Sequence, residues 1–89
     1  MPNLLIAHDL QSAQKIEQVF TIAGRLGPTS NLVKNCFVLA TNTSAQEVFD
    51  RLSVALSSAD SLYVLSLDKD FAAQGPNEVS DWFGRHFKD

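Results

Sequence analysis

The chain has 89 residues, 45% of them hydrophobic, and a net charge of −3 from seven Lys and Arg against ten Asp and Glu. That length holds one core, so residues 1–89 read as a single domain that folds without a disulfide or a structural metal. No apolar run approaches the roughly 18 residues of a membrane helix, and the first residues lack the basic flank of a signal peptide, so a cytoplasmic protein with no membrane partner is expected.

The cations, Lys15, Arg25, Lys34, Arg51, Lys69, Arg85 and Lys88, are scattered singly. Strong non-specific binding of nucleic acid needs them clustered. The single Cys36 lies in an apolar run and reads as a small buried hydrophobe.

The first strand is expected over about residues 3–8, where Asn3-Leu4-Leu5-Ile6-Ala7 ends in His8-Asp9. Leu10, Ala13, Ile16, Val19, Phe20 and Ala23 then recur at three- and four-residue spacing, which predicts a helix over about 10–24. Gly24, Gly27 and Pro28 end it. Thr29–Val33 reads as a polar edge strand, Lys34-Asn35 as a turn, and Cys36–Thr41 as its stronger partner strand.

Ser44-Ala45-Gln46-Glu47 has the form of a capping box and opens a helix with Val48, Phe49, Leu52, Ala55 and Leu56 inward. Ser57–Asp60 breaks it, and Leu62–Leu67 is the fourth strand. After a loop over 68–75, Gly75-Pro76 starts a C-terminal helix over about 76–88, with Val79, Trp82, Phe83 and Phe87 as its apolar stripe.

The order β-α-β-β-α-β-α predicts an α+β domain. Its first six elements are those of the ferredoxin-like split β-α-β fold, a four-stranded antiparallel sheet in the spatial order four, one, three, two, to which a C-terminal helix is added. Helices on one face leave the other to solvent, yet strands one, three and four are apolar on both faces. The open face is covered either by the C-terminal helix or by a second copy, and a homodimer through the sheet face is the favoured expectation.

This topology gathers His8, Asp9, Ser12, Lys15, Lys34, Asn35 and Asp60 at one edge of the sheet. Asp9 is the sharpest candidate. It reads as a divalent-metal ligand or general base once a twofold axis supplies a second carboxylate, or else as the cap of the following helix. His8 suits proton transfer, with a strand-end His bonded to a backbone carbonyl as the alternative. Lys15, Lys34 and Asn35 are candidate contacts to nucleic acid. His86 is expected on the surface, and Asp68-Lys69-Asp70 lacks the glycine and glutamate of a calcium loop. No organic cofactor motif is present.

The stretches LLIAHDL at 4–10, NLVKNCFVLATNTSAQEVFDRL at 31–52 and NEVSDWF at 77–83 resemble the small CRISPR-associated (Cas-two-like) subunit of the spacer-acquisition complex. They resemble its stand-alone SinR-like relatives still more. That resemblance implies a dimer and assigns a metal-binding role to Asp9, with His8 where the family usually has Tyr. In place of the family's basic residues early in helix one stands Gln11-Ser12-Ala13-Gln14-Lys15.

Three functions follow as expectations. One is a nuclease using Mg²⁺ or Mn²⁺ on RNA or DNA through paired Asp9. The second is a non-catalytic dimeric scaffold for protein or nucleic acid, and the third is a small-molecule-binding regulatory domain.

Overall fold

A computed structural model of the chain describes residues 3–67, 74 and 77–86. It is a small α+β fold of strands β1 (Asn3–Asp9), β2 (Thr29–Val33), β3 (Cys36–Ala40) and β4 (Ser61–Leu67) and helices α1 (Ala13–Leu26), α2 (Ala45–Leu52) and α3 (Asn77–His86). A single 3-10 turn, Ser53–Ala55, follows α2. The sheet is wholly antiparallel in the order β2-β3-β1-β4, which read from the other edge is four, one, three, two.

The elements form where the periodicity places them, but their ends move. α1 starts at Ala13 rather than at Leu10 because Ser12 caps it: the Ser12 hydroxyl accepts from Lys15 N at 3.2 Å. It continues through Gly24 to Leu26 and stops at Gly27. A side chain at Gly27 would collide with the backbone carbonyl of Ala40, so only glycine lets the chain pass this close to β3 on its way into β2.

Ser44 accepts from Glu47 N at 3.2 Å, the first half of the expected capping box. The Glu47 carboxylate instead accepts from Arg51 at 3.1 Å, one turn along the same helix. Ala55 and Leu56 fall beyond the end of α2, yet they still pack on its core.

Alternation along the strands divides the apolar residues between two faces. Leu4, Ile6, Phe37, Leu39 and Leu62 meet Val19 and Ala23 of α1 and Val48 and Leu52 of α2, forming the main core. Ala13 and Ile16, expected on the inner face of α1, are exposed, since the first turns of the helix run past the edge of the core.

On the opposite face, Val38 and Ala40 form a second cluster with Trp82 and Phe83 of α3, joined by Leu5, Leu32, Leu67 and Val79. The Asn3 amide donates to the carbonyl of His86 at 2.9 Å, tying the end of α3 to the start of β1. His86, expected on the surface, is half-buried, its ring centroid 4.4 Å from that of Trp82 and tilted by 39°. The C-terminal helix therefore does cover part of the open face. The Gly75-Pro76 start, the Asp68-Lys69-Asp70 segment and Phe87 lie outside the described residues.

The cover is incomplete. Tyr63 and Leu65, on the same face in β4, are 62% and 50% exposed. Among the described residues no helix is long and apolar enough to cross a membrane.

Candidate functional site

The three segments expected at one edge do meet there. His8 N donates to the carbonyl of Asn35 at 2.9 Å, joining the end of β1 to the hairpin tip. Asn35 holds a φ of 64°, a left-handed conformation that asparagine tolerates better than most residues. Gln11 N donates to Asp60 Oδ1 at 2.8 Å and Gln11 Nε2 to the Ala59 carbonyl at 3.0 Å, which docks the start of α1 on the loop before β4.

Within that edge the candidates separate. His8 turns toward the main core, its ring centroid 6.0 Å from that of Phe37, with Nδ1 buried and without a hydrogen-bond partner. Burial lowers its pKa, partly countered by the nearby negative charge of Asp9. Strand alternation sends the next residue to the other face, so Asp9 lies on the open side, in register with Ser61 and two residues from Ala7 and its partner Tyr63. The Asp9 side chain is exposed and accepts no hydrogen bond among the described residues. The alternative of a helix cap is overturned, because Ser12 occupies that place.

Lys15 is not a free cation. Its ammonium lies 2.7 Å from Asp60 Oδ2 and 2.9 Å from Ser57 Oγ. Asp60 also accepts from Ser57 N at 2.8 Å and from Ser57 Oγ at 3.0 Å. The Lys15 bond, followed by the backbone bonds of Ser57 and Gln11, holds its carboxyl well below the usual carboxylate range. The sequence marks Ser57–Asp60 as a helix break and places Asp60 at this edge, without pairing it to Lys15. The Ser-x-x-Asp spacing was the available sign that this loop closes on itself.

Lys34 stands exposed at the hairpin tip with no ion pair among the described residues. Cys36 is half-buried beside Ala7 on the open side, and burial raises its thiol pKa. No group of three His, Cys, Asp or Glu residues among those described is placed to hold a metal ion. At this edge, among the described residues, Asp9 is the one carboxylate left without a partner, since Asp60 is engaged by Lys15. A solvent-open groove of about 600 Å³ between α1 and the 3-10 turn, lined by Gln14, Gln18, Arg25 and Val54, includes none of the site candidates. Comparison of the chain with family models, with curated proteins and with solved structures gives no match.

Proposed function

We propose that the chain is a homodimeric protein of the Cas-two-like and SinR-like kind, with the ferredoxin-like split β-α-β fold. In this reading paired Asp9 carboxylates bind Mg²⁺ or Mn²⁺ and hydrolyse phosphodiesters of RNA or DNA in the cytoplasm. The observation that carries it is the state of Asp9: an exposed carboxylate at a strand tip, relieved of helix capping by Ser12. The strand order and the position of α1 and α2 on one face support the fold.

Exposed Tyr63 and Leu65 on the side of the sheet that carries Asp9 supply an apolar surface for the second copy. When bound, a divalent ion lowers the pKa of water and neutralises charge developing on the phosphate. Asp9 serves to hold that ion, and Lys34 and Asn35 at the adjoining tip serve to position the nucleic acid. His8, directed into the core, takes no part in proton transfer at this face.

The test is cleavage of labelled single- and double-stranded RNA and DNA by wild type and Asp9→Asn, with Mg²⁺, Mn²⁺ or chelator. Metal-dependent cleavage, lost in the variant while sedimentation shows an intact dimer, is the expected result. The second reading, a dimeric scaffold for protein or nucleic acid, is favoured by the engagement of Lys15 with Asp60, which removes a cation from the phosphate-binding set. A well-folded dimer that binds nucleic acid without cutting it establishes that reading instead.

A further inference from the structure

The two edges of the sheet are unlike. β2 is short, its register slips between Asn31 and Val33, and Glu78 and Val79 of α3 lie beside it around a shared pocket. Bulges, charges and covering elements are the devices that keep edge strands from pairing with other chains. Among the described residues β4, on whose inner face α2 packs, has neither bulge nor charge. It runs seven residues in unbroken register with β1, without proline or charge.

The hydrogen-bond phase shows which groups β4 leaves outward. His8 N bonds to β3, so the even residues of β1 face β3 and the odd ones face β4. The register pairs those odd residues with Ser61, Tyr63, Leu65 and Leu67. The backbone N–H and C=O groups of Leu62, Val64 and Ser66 therefore point away from the sheet, and no described residue pairs with them.

We infer that β4 is an assembly edge, pairing antiparallel with β4 of a second copy about a twofold axis through Val64, so that two four-stranded sheets become one continuous sheet. This register alone places Val64 opposite Val64 and Leu62 opposite Ser66, satisfying every outward group. It also sets Tyr63 beside the partner copy's Leu65 in a non-hydrogen-bonded pair, where side chains approach most closely. The two most exposed apolar side chains of β4 thereby cover one another across the junction. Within β4 itself there is no charge, and Asp60, at its head, is neutralised by Lys15. The interface lies along the strand edge; it draws on the same Tyr63 and Leu65 as the face stacking proposed above, but its hydrogen bonds come from the β4 backbone and it does not depend on any role of Asp9.

Residue-resolved amide exchange on the full chain, from ~10 μM to ~1 mM, tests it across the range in which a small interface associates. Protection of the Leu62, Val64 and Ser66 amides is expected to rise by ~10-fold or more with concentration. Those of Tyr63 and Leu65, bonded to β1, stay protected throughout.

Ser66→Pro removes one outward N–H from an exposed position without touching the β1 ladder, and is expected to abolish the rise at Leu62 and Val64. Retained protection at Tyr63 and Leu65 shows that the variant is folded. Outward amides that exchange freely at every concentration overturn the inference, even if the protein dimerises through its sheet face. So does protection independent of concentration, or a rise that survives the proline.

Discussion

The Lys15 ammonium lies 2.7 Å from Asp60 Oδ2, an ion pair that joins the first turn of α1 to the loop preceding β4. The Asp60 side chain is shielded from solvent by its own partners although it sits at the periphery of the fold. It satisfies the backbone N–H groups of Gln11 and Ser57 as well as the lysine, so it organises both segments at once.

A carboxyl held below its ordinary value of 3.8 makes stability depend on acid in a definite direction. The unfolded chain binds the proton more readily than the folded one. The contribution is therefore complete above about pH 5 and declines as pH falls below the ordinary value toward the depressed one. Urea unfolding of wild type and Asp60→Asn is expected to show wild type the more stable at about pH 7, with the gap narrowing by about pH 3. A gap unchanged over that range would remove the charge from the account.

Ser12 and Asp9 divide the two roles that a residue before a helix can take. Ser12→Ala is expected to cost about 1 kcal/mol through loss of the bond to Lys15 N. Asp9→Ala, an exposed change at a side chain without a cap bond, is expected to stay within about 0.5 kcal/mol. Chemical denaturation of both variants decides the matter, and a larger loss at Asp9 would return it to a structural role.

His8 carries a buried Nδ1 with no partner beside the Phe37 ring. Replacement by leucine removes that unsatisfied group and is expected to raise stability by about 1 kcal/mol. Because burial depresses the pKa of His8, the fold favours the neutral ring, and wild type loses stability as pH falls below the ordinary 6.5. His8→Leu lacks that decline. If the proposed phosphodiester cleavage is found in wild type, it is expected to survive the substitution, and its loss in a folded variant would contradict the assignment of His8 to the core.

Gly27 is required by space rather than by backbone angle. Gly27→Ala sets a methyl group against the Ala40 carbonyl, which is held in turn by the bond from Ala40 N to Pro28 O at 2.9 Å. A cost of about 1–3 kcal/mol is expected in urea unfolding. A neutral result would mean that the α1–β2 connection moves freely relative to β3.

The order of elements was legible because hydrophobic period is a local property. Val19 and Ala23 of α1, and Val48 and Leu52 of α2, are buried at the helical spacing that marked them. Ser12 was missed as the cap because Leu10 extended the apolar spacing past it, while the chain turns from strand to helix only after Gln11. Ile16 fits the same spacing and is nevertheless 37% exposed, since periodicity marks a helix face but not where the opposing surface ends. Strand alternation alone separates His8 from Asp9. Which of the two turns inward depends on which sheet face α1 and α2 cover, and that is the face His8 shares with Leu4 and Ile6.

By itself, then, the sequence determined which segments are strands and helices, that both sheet faces are apolar, and that Asp9 ends the first strand. Only the tertiary structure decided which candidates are free and which are engaged. The Lys15–Asp60 pair spans 45 positions, and α3 reaches from the far end of the chain to part of the open face. Such contacts are fixed by how whole elements pack, and local residue patterns carry no record of them.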